Sequence, residues 1–143
     1  MGSIVNQMRY KGFEEAHKTA GVMIDDSIIF TEAESNVVIE NCVEQLIREK
    51  VDCILCMDDS ICAQAITKCM KDNISIPDDI RIASFYNSSL LDHSRPAITS
   101  LQFDVAELGM KSCSLAIAAI EKDPLEVKTL LGYQVVMKES TAS

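Results

Sequence analysis

The apolar positions of this chain fall into two spacings, one helical and one extended. Residues 6–19 put Met8, Phe13 and Ala16 on one stripe, with Lys11, Glu14, Glu15 and Lys18 mostly elsewhere, which predicts a helix ended by Gly21. Residues 28–30 form a three-residue apolar strand. Residues 35–49 predict a second helix: Val38, Cys42, Val43 and Leu46 share a face, and Glu44 pairs with Arg48 one turn on. The run VDCILCM at 51–57 is almost wholly apolar, as in a strand covered on both faces. Asp58, Asp59 and Ser60 then open a third helix that reaches about Lys71, with Ile61, Ala65, Ile66 and Cys69 inward.

The stretch from Ile76 to Asp104 organises the rest. Pro77 with Asp78 and Asp79 makes a polar turn, residues 80–84 are a short β-branched apolar run, residues 85–94 are polar and turn-rich, and residues 97–101 form another strand candidate behind Pro96. Residues 105–122 predict a fourth helix, with Leu108, Leu115, Ala116, Ala119 and Ile120 apolar. Residues 130–138 alternate weakly as a last strand, and 139–143 read as a polar tail. The order is an α/β pattern, expected to give an open, mostly parallel sheet flanked by helices. With both strands of the 76–104 stretch parallel and central, Phe85–Asn87 hangs off the carboxyl edge, where open α/β sheets bind ligands. Such sheets normally begin with a strand; this chain begins with a helix, so a missing beginning is expected.

Composition narrows the function classes. The 143 residues are 48% apolar and 24% charged, with net charge −9, enough for one domain with a core. That acidity argues against direct contact with nucleic acid, which needs a surplus of Lys and Arg. Six cysteines in a chain that is not loop-rich read as reduced, buried thiols of a cytoplasmic protein. No leader is apparent, and no apolar run approaches the ~20 residues of a membrane span.

Candidate chemistry is sparse. Cys53-x-x-Cys56 has no second pair at zinc spacing, and residues three apart on a strand face opposite ways, so neither a metal nor a cofactor is expected. Of the acids after the 51–57 strand, Asp59 or Ser60 is expected to cap the helix and Asp58 to face the cleft. Arg9 is either a solvated cation or a fork for vicinal hydroxyls or a carboxylate. His17 and His93 lack a Ser or Cys partner, the five glycines form no phosphate loop, and no nucleophile, base and oxyanion hole assemble, so an enzyme is not expected. A receiver-type domain would need a Lys ending its last strand, and Leu101-Gln102-Phe103 has none.

Six short motifs occur in order: Arg9-x-x-Gly12-Phe13, Asp58-Asp59-x-x-Cys62-x-Gln64-Ala65, Ile76-Pro77-x-Asp79-Ile80, Pro96-x-Ile98-Thr99-Ser100, Leu108-Gly109 and Glu139-Ser140-Thr141. Together they cover nearly the whole chain and resemble the effector-binding core of the lactose-repressor (LacI/GalR) family of bacterial transcription regulators. The resemblance implies a periplasmic-binding-protein-like fold of two lobes behind a DNA-binding helix-turn-helix domain. Residues 1–143 would be a partial effector-binding domain, mainly the second lobe. The first strand and most of the first lobe would be absent, the empty strand position lying between residues 28–30 and 53–57. The helix at 105–122 would belong to the first lobe and leave an apolar face open to association.

By the same resemblance, the family's effector-binding Arg falls on Arg9 and the first residue of its Asn-Asp pair on Asp58. A pocket Asp falls on Tyr86, with Ser84 where glycine is common, and another pocket position falls near Phe103. Glu34 stands where the family often offers an aromatic. These departures imply an effector other than a plain hexose, with Tyr86 stacking on a ring. The implied partners are a small sugar-like or nucleoside-like molecule, a second copy joined through the second lobe, and DNA only through a domain outside this chain. A sugar-binding protein of a transport system is the rival reading, and six unpaired cysteines weigh against export.

Overall fold

The computed structural model describes residues 3–33, 35–125 and 128–142. In chain order the elements are α1 (Ile4–Ala20), α2 (Asn36–Arg48), β1 (Cys53–Cys56), α3 (Asp59–Lys71), β2 (Arg81–Ser84), α4 (Ser89–Asp92), β3 (Thr99–Gln102), α5 (Val105–Glu121) and β4 (Gln134–Val136). Four of the helices start where an oxygen-bearing side chain takes an orphan amide: Ser3, Ser35, Asp58 and Asp104 each accept from the backbone N–H three residues on. Gly21 closes α1 in the left-handed region at φ 70°, where a side chain would be strained.

The strands lie in the order β1-β2-β3-β4. The first three are parallel and β4 runs antiparallel to β3, pairing Ser100 with Val136 and Gln102 with Gln134. β2 and β3 are therefore interior, as the 76–104 stretch predicted, whereas β1, expected to be covered on both faces, lies at the sheet edge with Cys53 and Leu55 exposed. The core fills the space between the sheet and the helices α2 and α3: Ile39, Val43 and Leu46 meet Ile54, Cys56, Ala65, Ile66 and Ile82. Alternation on β1 is strict, Ile54 and Cys56 in, Cys53 and Leu55 out.

Three expectations are corrected. Residues 28–30 are not a strand. Asp25 Oδ1 accepts from Ser27 N–H at 2.9 Å and turns Asp26–Ile28 into a 3-10 helix, after which Ile29 is extended without a ladder partner. The polar stretch 85–94 contains the single helical turn α4, held by the fully buried Leu91. The closing residues are no solvated tail. Ser140 is fully buried, its Oγ donating to the Ile82 carbonyl at 2.6 Å and accepting from Thr99 N–H at 2.9 Å. Glu139 accepts from Ala97 N–H at 2.9 Å, and the hydroxyls of Thr99 and Thr141 meet at 2.6 Å. A pattern of polar residues cannot distinguish hydroxyls that bridge buried backbone from hydroxyls in water.

β1 has one open edge. Asp52 and Cys56 carbonyls accept from Arg81 and Phe85 N–H of the β2 side, both at 3.0 Å. Alternation along a parallel ladder then turns the backbone groups of Cys53, Leu55 and Met57 the other way. An apolar groove of about 160 Å³ lies there, walled by Tyr10 and Phe13 of α1, Ile28–Phe30, and Leu55 of β1. It lies between residues 28–30 and β1. The helix α5 buries no residue, and its Leu108, Met110, Ile117 and Ile120 are exposed.

The thiols divide. Cys56, Cys62 and Cys69 are buried, Cys42 is partly covered, and Cys53 and Cys113 are exposed, so the expectation of uniformly buried thiols holds for three of six. Burial pushes the Cys69 thiol up to about 11, and the contact with Cys62 together with burial raises Cys56 well above its ordinary 9.0. A folded-state thiol that ionises later than the unfolded one supports folding below the ordinary thiol range. That support fades as pH rises from 9.0 to about 11.

Thiol burial and the Ser140 bridge can each be measured. Under native conditions at pH 8, a disulfide reagent should label Cys53 and Cys113 first and reach Cys56, Cys62 and Cys69 only on unfolding, read by peptide mass mapping. Replacing Ser140 by Ala strands two buried backbone groups and should cost about 1–3 kcal/mol in urea unfolding at constant m-value.

Candidate functional site

Three parallel strands that share a direction end at a common rim, and the residues just past each strand converge there. Met57-Asp58 comes after β1, Phe85-Tyr86-Asn87 after β2, and Phe103-Asp104 after β3. Arg9 reaches the rim from α1. Its Nη1 donates to the Met57 carbonyl at 2.7 Å, one of the groups facing the open edge of β1, and its guanidinium lies 5.5 Å from the centroid of the Phe85 ring. A cation over an aromatic face and a carbonyl accepting from it together fix the fork in direction. The Nη1 contact to Asn6 is long, 3.5 Å.

Asp58, expected to face the cleft, is the N-cap of α3. Its Oδ1 accepts from Ile61 N–H at 2.8 Å, and neither Asp59 nor Ser60 takes that place. The expectation that one of those two would cap fails because Asp58 is the last extended residue and helical geometry begins at Asp59. One carboxylate oxygen is thus committed to the helix, and the other is an acceptor at the rim.

Tyr86 and Phe103 form an edge-to-face pair, ring centroids 6.5 Å apart and planes at 74°. Both rings are about half exposed, Tyr86 46% and Phe103 38%. The Tyr86 N–H is held by Ser84 Oγ at 3.1 Å, which points this residue outward directly after the strand. Phe103 also borders an open cleft with Tyr133 and Glu107. Glu34 lies outside the described residues.

The four expected residues therefore stand around the ends of neighbouring strands, in two joined pairs: Arg9 with the backbone before Asp58, and Tyr86 with Phe103. The sequence places Phe85 at the carboxyl edge, but its contact with Arg9 is not expected from it. The signal is present, an aromatic immediately after a buried strand, but only the fold shows that a cation from α1 covers it. The site offers guanidinium donors, a carboxylate acceptor and two aromatic edges. Each histidine is turned to its own helix, His17 Nδ1 2.9 Å from the Phe13 carbonyl and His93 Nδ1 2.6 Å from that of Ser89. Such a set can orient a polar molecule and stack against its ring.

A family model for the periplasmic binding protein-like domain matches residues 4–141. The chain belongs to that family. Its relatives are LacI- and PurR-family helix-turn-helix transcriptional regulators. The HTH-type transcriptional regulator DegA of Bacillus subtilis is 29% identical over 139 residues, covering 94% of this chain and 40% of that protein. Among solved structures, the transcription regulator CcpA of Lactococcus lactis superposes with a TM-score of 0.88 over 99% of this chain and 53% of its own, at 21% identity. The regulator CelR, solved as a cellobiose complex, superposes at a TM-score of 0.81 over 92% of this chain and 41% of its own, at 20% identity. This periplasmic binding protein-like chain spans about two fifths to one half the length of these proteins. The fold expected from the order of elements and from the motifs is shown.

The cap makes a separable prediction. Asp58→Ala should lower stability by about 1 kcal/mol, whereas Asp58→Asn, which keeps a capping oxygen, should stay within a few tenths, both from urea midpoints.

Proposed function

We propose that this chain is the effector-sensing part of a LacI/GalR-type transcriptional regulator. It binds a small polar molecule, sugar-like or nucleoside-like, at the carboxyl rim of its sheet, with the first lobe, mostly outside this chain, closing over the ligand. Closure changes how a helix-turn-helix domain outside this chain binds DNA. In this reading the module is non-catalytic, cytoplasmic and paired with a second copy through this lobe. What supports it is that Asp58, Tyr86 and Phe103 each lie just past one of three parallel strands and that Arg9 bonds the residue before Asp58, in a chain whose relatives are regulators.

Each side chain has a task in this mechanism. The part of the Arg9 guanidinium not used on Met57 donates to hydroxyls or a carboxylate. The free oxygen of Asp58 accepts from a hydroxyl or an amine. Tyr86 and Phe103 offer a corner into which a flat ring fits better than a puckered hexose. Ligand shifts the regulator only by as much as it binds one state more tightly than the other. A rim contributed by one lobe and closed by another supplies that difference, because the closed state alone completes the contacts.

Calorimetry on a regulator containing both lobes tests this, with cellobiose, sucrose, ribose, adenosine, guanosine and glucose 6-phosphate as titrants. A ring-bearing nucleoside or a sugar phosphate should bind, and Arg9→Ala should weaken it by about 10–100-fold, the loss of a charged hydrogen bond. Tight binding of an unmodified hexose, or an Arg9→Ala variant that binds as well as the parent, would overturn the assignment.

A further inference from the structure

The loop that carries Tyr86 is tied down by a cation from the far end of the chain. Lys138 lies just past β4, and its side chain is only 16% exposed. Its Nζ donates to Asn87 Oδ1 at 2.9 Å and to Asp92 Oδ1 at 2.5 Å, with Ser100 Oγ at 3.5 Å. Ser100, buried on β3, donates its hydroxyl to the same Asn87 oxygen at 2.9 Å. The root of Lys138 is also fixed, since its N–H donates to Thr99 Oγ1 at 2.8 Å and its carbonyl accepts from that hydroxyl at 3.3 Å. One ammonium thus holds residues at both ends of α4, 51 and 46 positions away in sequence.

The loop needs such a tie. A four-residue helical turn does not hold itself together in water. Ser88 makes no capping bond to it. Leu91 is its buried anchor, and Ser94 Oγ closes the far end by donating to the Leu91 and Pro96 carbonyls at 2.7 and 2.8 Å. Between Ser84 and Leu91 the loop has two side-chain restraints toward the sheet: the Ser84 hydroxyl on Tyr86 N–H, and the Asn87 oxygen between Ser100 and Lys138. A long, strongly hydrated ammonium in a chain of net charge −9 has many acids to meet in solvent. This one is instead drawn against the sheet, beside the residue next to Tyr86.

We propose that Lys138 is a positioning residue for effector recognition. By holding Asn87 and Asp92 against β3 it keeps Tyr86 in the edge-to-face pair with Phe103. The proposal rests on the reading of Tyr86 as an effector contact, but its mechanical half is testable without any ligand.

Hydrogen exchange followed by mass spectrometry compares the parent protein with Lys138→Met, Lys138→Arg and Asp92→Asn. Lys138→Met should speed exchange of peptides spanning 85–93 by about tenfold and leave β1 and α3 unchanged, a local rather than a global opening. Asp92→Asn should have a smaller effect in the same peptides, and Lys138→Arg, which keeps the cation and its reach, should return them to within about threefold of the parent. A second readout uses Tyr86→Trp, a single reporter because the chain has no Trp. Adding Lys138→Met to it should red-shift the emission and raise acrylamide quenching. Unchanged exchange at 85–93, equal acceleration throughout the chain, or a Trp reporter blind to Lys138→Met would each overturn the proposal. If no titrant in the calorimetric panel binds, the effector reading fails while these ligand-free measurements still decide what Lys138 holds.

Discussion

Three strands that point the same way must all stop at the same side of the sheet, and at that side the hydrogen-bond ladder runs out. Every backbone group there needs another partner or water. Here the Met57 carbonyl, at the open edge of β1, receives the Arg9 guanidinium at 2.7 Å. That bond is also the one long-range hydrogen bond of α1 among the described residues, and α1 buries no residue of its own. A charged hydrogen bond of this kind contributes about 1.5–3 kcal/mol. The same Arg9 group thus ties α1 to β1 and stands at the rim. Its cation–π contact with Phe85 adds direction, since moving Arg9 away would uncover a ring at the base of the Tyr86 loop.

The rim is built on a polar seam rather than on the aliphatic core. Ser84, Thr99, Ser100 and Ser140 are the buried polar residues among those described, and all lie on β2, β3 or the strap after β4. Ser140 alone joins two strands, through Ile82 and Thr99. Apolar residues of similar volume would fill that space, but they would specify neither the register of the strap nor the position of Lys138 two residues before Ser140. Buried hydroxyls with directional partners set where things go, while Ile82, Leu91 and Ile98 supply the bulk of the burial.

How much of this was legible in the sequence depends on which signals are local. The helices at 36–48 and 59–71 and the strands at 53–56, 81–84 and 99–102 announce themselves, because their periodicity is written in adjacent residues. The segment 28–30 has the composition of a strand but not the structure, since a strand is a relation to a neighbour and the groove stands between it and β1. Asp58 against Asp59 or Ser60 is a competition among three good capping residues, settled by where β1 must let go of the chain. The sequence named candidate site residues but not their connections. Arg9 on Met57, Phe85 under Arg9 and Lys138 on the Tyr86 loop join residues 46 or more positions apart, and no spacing encodes them.

The rim also divides by how firmly each part is held. Arg9 and Asp58 are fixed to β1 and to the first turn of α3, which pack directly on the core. Tyr86 is fixed to the sheet through Ser84 and its neighbour Asn87. Phe103 is different: it precedes Asp104, whose Oδ1 accepts from Glu107 N–H and starts α5, a helix that buries nothing. A shift of α5 against the sheet would therefore reach Phe103 first and leave Arg9 and Asp58 in place. The edge-to-face contact with Tyr86 is a weak restraint, about 0.5–1.5 kcal/mol beyond the area it covers. A ligand seated against both rings adds its own contacts to that small term. In the proposed reading, the position of α5 relative to the sheet and the occupancy of the rim would be joined through this one aromatic pair.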